Sequence, residues 1–286
     1  MRRIWLLPLL AGGGWEGEKH LTFFARRAPP PSPPLLAGEG AKPARFTCVM
    51  ETKMPTELPP LKRIRWSQIY RIVPSRFPPV GVFDRIANPA DLDAVFAIEA
   101  LTNPRLREEA GALKLVPKEH RISGPGSTPV MAAFTHLNPE GSRFSDGSWG
   151  VFYAAHNVAT AVEETVYHRE QFLAATAEPA CEIEMRCYRS SVDNKLHDLR
   201  GGWPAAHDPN SYVASVALAR ELRAAGSNGI AYDSVRHSHG ECLAAFYPDV
   251  VAPCVQAQHL IYRWDGTRIA QVLEVSELKR PRSDKT

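Results

Sequence analysis

Glu164 stands on a stretch where an apolar run, Val151-Phe152-Tyr153-Ala154-Ala155, gives way to a helical pattern. A carboxylate on a helix, close to the aromatic ring of Tyr153 at a strand end, can oppose or relay charge in a reaction. Three other side chains have types that could join it. Arg71 is flanked by Ile72 and Val73, and a guanidinium in such a setting pairs with an acid or binds an anion. Arg143 lies in the loop Gly141-Ser142-Arg143-Phe144-Ser145-Asp146-Gly147, and Ser234 follows Tyr232-Asp233 at a strand end. Ser234 lacks the G-x-S-x-G setting of a hydrolase nucleophile, so its expected role is hydrogen bonding. Each residue also has a plainer reading: a solvated carboxylate, a structural salt bridge, a surface arginine and a capping serine.

Other chemistries lack their residues. His197, His237 and His239 suggest metal ligands, but His-x-His between strands has no third ligand at supporting spacing, and no metal is expected. Neither a Walker loop nor G-x-G-x-x-G occurs. A nucleotide would have to be held by arginines, aromatics and hydroxyls.

The elements that must position these groups form a mixed α+β pattern without βαβ regularity. Residues 151–155 read as a buried strand and 159–172 as a helix. Val158, Val162, Thr165, Val166 and Phe172 share one helical face; Glu164 lies almost opposite, beside Thr160, Tyr167 and His168, with Glu163 on the flank. That second face meets either water or a cleft. Residues 69–73 alternate as a strand. Asn88-Pro89-Ala90-Asp91 caps a helix over 92–102, and a second helix is expected over 104–113. The segment 117–150 reads as loop with a short strand at Phe134-Thr135. Further strands are expected at 181–188, 229–235 and 242–247, a helix runs to Leu222 and stops at Gly226, and Asp265-Gly266 turns a final hairpin.

Composition bounds the rest. The 286 residues carry a formal net charge of +3, with 44% hydrophobic and 23% charged residues, as in an ordinary globular protein. So small a charge, with no basic run interleaved with aromatics, argues against direct nucleic-acid binding. Five cysteines without a C-x-x-C pattern suggest neither a zinc site nor a disulfide framework, and fit a reduced cytoplasm. No run reaches a membrane span, and Arg2-Arg3 with the short apolar stretch to Ala11 mimics a signal peptide only faintly. Residues 1–60 hold ten of the 25 prolines and are expected to be a disordered or non-native extension, the start lying at Met1, Met50 or Met54. Residues 61–278 would form the folded domain and 279–286 a basic tail.

Taken together, Tyr70-Arg71, the Arg143 to Ala155 stretch, the Ala159 to His168 helix, and Asp233-Ser234-Val235-Arg236 followed by Gly240-Glu241-Cys242 resemble the RES-domain family, named for its Arg, Glu and Ser. The resemblance spans most of residues 66–264. It departs at Ser142-Arg143-Phe144, where the family often has Gly-Arg-Trp. It implies a single domain akin to the fold of ADP-ribosyltransferase toxins and an activity that consumes NAD, as in toxins of bacterial toxin–antitoxin pairs. NAD would be the substrate, with inorganic phosphate a possible co-substrate and no metal. Glu164, Arg71 and Ser234 would be the catalytic set, and Arg143, Tyr153, Tyr70 and Arg236 would bind NAD. A DNA-binding antitoxin would be the partner; a homodimer stays open. The acceptor would be phosphate or water. The alternatives are mono-ADP-ribosylation of a protein and a catalytically silent partner-binding module.

Overall fold

Strand β1 (Leu61–Pro74) is where the sheet closes on itself. The computed structural model describes residues 58–75, 81–102 and 111–276. Within them run β2 (Phe152–Ala155), β3 (Cys181–Asp198), β4 (Gly229–Asp233), β5 (Glu241–Ala245), β6 (Val255–Trp264) and β7 (Ile269–Val275). Their order is β1-β2-β5-β4-β3-β6-β7, and β1 also pairs with β3. The first five strands therefore form a ring, with the β6–β7 hairpin continuing from β3. All pairings are antiparallel except β3–β4.

The ring is tight along β1–β3 but loose between β1 and β2, which meet only at Tyr70 and Ala155. Beyond Tyr70, β1 pairs with β3 alone, so the sheet splits between Arg71 and Tyr153. A bulge between Trp66 and Ile69 inserts one extra residue into β1. Such an insertion resets the period-2 alternation. Ile64, Trp66 and Ile69 consequently share one face, and Ile72 belongs to the other.

Helices segregate by face. Among the described residues α1 (Leu92–Thr102) and α2 (Thr128–Thr135) cover the Trp66 face, contributing Leu92 and the fully buried Val130 and Met131. Helices α3 (Val158–Thr176) and α4 (Val213–Ala224) belong to the opposite core, with Ala161 from the first and Leu218, Ala219 and Leu222 from the second. In α4 these apolar residues recur at helical spacing; burying each leucine contributes about 1.5–3 kcal/mol. Between α3 and α4, on the same face, lies the candidate site.

The helix at 159–172 is present and longer than expected. Asn157 caps it by accepting the Thr160 N–H at 2.8 Å. The Thr165 and Tyr262 hydroxyls, 2.7 Å apart, tie its middle to β6. Other expectations need correction. Phe134-Thr135 is the end of α2, not a strand; Pro129 sits in the first turn, where its missing N–H costs the helix nothing. The strand expected over 181–188 continues to Asp198, because β1 offers it a ladder through polar residues that no alternation marks. Of the helix expected over 104–113, residues 104–110 lie outside the described residues, and Leu113–Leu115 form a 3-10 turn. Residues 1–57 and 277–286 also lie outside them. No described helix is long and apolar enough to cross a membrane.

One glycine sets how closely the β4–β5 loop approaches α3. A Cβ on Gly240 would lie 2.6 Å from Thr160 Oγ1 and 2.7 Å from its Cγ2, inside van der Waals contact. Gly240→Ala is therefore expected to push the loop off the helix and to cost about 1–3 kcal/mol of stability, read as a lower midpoint in urea denaturation. An unchanged midpoint would show that the contact relaxes freely.

Candidate functional site

The second face of α3 does not look into open water. Thr160, Glu164 and Tyr167 follow one another along the helix, and each meets one residue of the loop after β4. Thr160 Oγ1 lies 2.8 Å from His237 Nδ1. Ser234 Oγ donates to Glu164 Oε1 at 2.6 Å. The Arg236 guanidinium stacks on Tyr167, with Cζ 3.4 Å from the ring centroid. The i, i+4, i+7 spacing explains the match, since these positions line one helical stripe. Thr160 is fully buried rather than part of an open polar face, because it fills the contact with His237 and Gly240.

Ser234 is saturated. Its main-chain N–H donates to Gly240 O at 2.7 Å. Its Oγ accepts the N–H groups of Arg236 (3.2 Å) and His237 (2.9 Å). With both acceptor positions used, the hydroxyl proton points to Glu164. The Ser234 hydroxyl is thus engaged by the carboxylate, which it orients. Glu163, the neighbouring carboxylate, is exposed, whereas Glu164 is half-buried and its Oε2 takes no hydrogen bond among the described residues.

The opposite wall is built on Tyr153. Its phenol oxygen accepts the Phe144 N–H at 2.9 Å and shares a 2.7 Å hydrogen bond with Ser142 Oγ. Burial pushes this phenol up to about 12, so it stays neutral. The hydroxyl is spent on the loop, and the loop carries Arg143. Arg143 is buried; its Nη1 donates to the carbonyls of Ala206 (3.1 Å) and Asp208 (2.9 Å), and its guanidinium lies over the Tyr212 ring at 4.8 Å. Arg236 reaches the same segment from outside, Nη2 donating to Pro209 O at 2.7 Å.

Tyr232 and Cys242 face each other across β4 and β5 and form the neutral, buried floor beneath these groups in the core. Burial raises both groups, the thiol by contact with apolar surroundings and by the nearby Glu164 charge. Phe144 packs edge-on to Tyr232, and the two ring centroids are 4.9 Å apart. His207 is held by two main-chain partners: Nδ1 donates to Trp203 O (3.0 Å) and Nε2 accepts the Asp233 N–H (3.2 Å).

Two expected members lie elsewhere. Arg71 shares the face of Phe152 and Tyr188, its Cζ 4.9 Å from the Phe152 centroid, away from α3. Desolvation lowers its pKa, and one N–H donates across the split to Tyr153 O at 3.1 Å. Arg71 therefore supports the strand bearing Tyr153 instead of standing beside Glu164 and Ser234. The reason is strand alternation: Tyr70 and Ile72 face α3, so Arg71 cannot. Tyr70 does face that side, but its ring packs on the core and its hydroxyl turns to Gln68.

Sequence reasoning missed Tyr232, Tyr212 and His207. Tyr232 carried a signal, since two residues before Ser234 on a strand places both on one face. Tyr212 and His207 had none, because the 203–212 segment takes its shape from Arg143 and Arg236.

The chain was compared with known proteins. A family model described as RES domain matches residues 118–265, which carry Arg143, Tyr153, Glu164, Ser234 and Arg236 and leave out Tyr70 and Arg71. The uncharacterized protein y4oC of Sinorhizobium fredii (strain NBRC 101917 / NGR234) is 31% identical over 210 residues, covering 71% of this chain and 85% of its own length. A solved chain of the M. tuberculosis MbcT–MbcA toxin–antitoxin complex is 14% identical, covers 71% of this chain and 87% of its own, and superposes with a TM-score of 0.35. With the matched residues running through both walls of the cleft and more than half of the chain, the protein belongs to the RES-domain family.

Proposed function

We propose that this cleft cleaves the nicotinamide–ribose bond of NAD. The observation that carries the reading is the 2.6 Å hydrogen bond by which Ser234 fixes Glu164 through one carboxylate oxygen, the other taking no hydrogen bond among the described residues. Breaking the glycosidic bond sends its electron pair to the nicotinamide nitrogen, cancelling that ring's positive charge. Positive charge then builds on the ribose C1′ as in an oxocarbenium ion, and a fixed carboxylate stabilises it without reorganising. Nicotinamide leaves as a neutral molecule, so no general acid is needed. The oxygen of water or phosphate adds to C1′, giving ADP-ribose or its anomeric phosphate, and a proton is released.

The other groups take supporting parts. The neutral floor of Tyr232 and Cys242 places no second negative charge beside Glu164. Arg143 supplies a fixed positive charge on the opposite wall, and Tyr153 holds the loop that carries it. Arg71 keeps a part by bracing the Tyr153 carbonyl. An antitoxin partner, as the family resemblance implies, belongs to the same proposal.

Glu164→Gln keeps the shape and the acceptor for Ser234 while removing the charge. It is expected to lower the rate of nicotinamide release from NAD ~10²–10³-fold, on the scale of a lost transition-state contact, with NAD still bound in calorimetry. Release at the wild-type rate would sink the mechanism. Chromatography of the wild-type products identifies the acceptor as water, phosphate or protein.

Ser234→Ala tests the positioning role separately. Losing one hydrogen bond to a charged group costs about 1.5–3 kcal/mol, so kcat is expected to fall ~10–100-fold. Glu164→Gln and the double variant should then differ little, because the two residues act as a unit. Fully additive losses in that cycle would contradict the coupling.

A further inference from the structure

The NAD reading needs a cation for the diphosphate, and the structure changes which residue is free to be that cation. Arg71 is on the other face of the sheet. Arg143 has committed Nη1 to two main-chain carbonyls and is pinned over Tyr212. Arg236 differs from both. It is only half-buried, and among the described residues its side chain donates one hydrogen bond, to a neutral carbonyl, that of Pro209. Its base is fixed through the main-chain N–H on Ser234 Oγ, the same oxygen that holds Glu164. Its guanidinium lies flat on Tyr167, one turn along α3 from Glu164. The side chain thus crosses the cleft mouth from α3 to the 206–209 segment.

We infer that Arg236 is the residue that selects a substrate carrying a diphosphate, exchanging its Pro209 carbonyl for phosphate oxygens when the substrate enters. This rests on the NAD reading of the cleft and goes beyond it by naming what reads the second half of the molecule. The exchange is favourable because a charge-assisted hydrogen bond is roughly twice as strong as one to a neutral acceptor, and a guanidinium can bind phosphate through two parallel N–H groups. Stacking on Tyr167 keeps the planar fork oriented and reduces the rotamer entropy lost on binding. Releasing Pro209 costs little, since that carbonyl can turn to water. The position also fits the chemistry: the residue that recognises the diphosphate is one peptide away from the loop turn that holds the carboxylate, so binding and cleavage share one rigid base.

The test compares two substrates with the same scissile bond in the full chain. NAD carries the diphosphate and nicotinamide riboside carries no phosphate. In Arg236→Met, the ratio of kcat/KM for NAD to that for the riboside is expected to fall ~10–100-fold, mainly through KM for NAD, as for a lost hydrogen bond to a charged group. Arg236→Lys, which keeps the charge and loses the fork, should fall in between. An unchanged ratio overturns the inference, whether both activities hold or both drop together, because the latter marks a purely structural strap. If wild-type protein releases nicotinamide from neither substrate, the NAD reading fails. The inference is then judged by calorimetric titration with ADP: weaker binding to Arg236→Met than to wild type supports a diphosphate site, and equal or absent binding overturns it.

Discussion

The hydrogen bond from Ser234 to Glu164 is the contact on which the rest of the site depends. Its direction is set by valence. The serine oxygen already accepts two main-chain N–H groups from its own loop, so the remaining proton has one place to go. The loop is in turn fixed by Gly240, whose missing side chain admits Thr160 and lets the loop lie against α3. Each of these contacts spends a polar group that would otherwise be costly to bury. The helix is anchored independently, through Asn157 at its start and Tyr262 at its middle, so the carboxylate is held from both sides.

The second wall follows the same logic with a phenol in place of a serine. Tyr153 is half-buried and neutral, its hydroxyl accepting from Phe144 and sharing a hydrogen bond with Ser142. It controls where Arg143 stands, and Arg143 controls the 206–208 backbone. Residues that resemble ligand contacts on paper are here one step removed from a ligand. Tyr153 and Ser234 both act by placing a charged neighbour. The charged groups of the site are then Glu164 on α3 and the guanidinium groups of Arg143 and Arg236, both of which reach the 206–209 segment.

How much of this could be read from the chain varied with the kind of signal. The α3 helix and the phase that puts Glu164 on its half-buried face and Glu163 on its exposed one were legible, because a period of 3.6 assigns faces without knowledge of the partner. The strand at 181–188 was legible by alternation for the same reason, and the apolar run expected as a strand over 229–235 is one over Gly229–Asp233. What failed was anything decided by a partner strand or loop. The extension of β3 through Arg189-Ser190-Ser191 depends on β1, and the shape of the 203–212 segment depends on two arginines from elsewhere in the chain. The helix at Thr128–Thr135 was lost because a short apolar run has no period long enough to tell helix from strand.

Arg71 shows why face and site must be argued separately. Alternation alone puts it with Ile69 and Val73, opposite Tyr70 and Ile72. Which of those faces carries α3 is a property of the closed ring, and no local pattern encodes it. The consequence reaches the chemistry. Arg71 on the far face braces the Tyr153 carbonyl through Nη1, while the hydrogen bond that reaches Glu164 comes from a neutral hydroxyl. A hydroxyl donor orients the carboxylate without pairing it with a cation, which is the arrangement the proposed cleavage of NAD calls for.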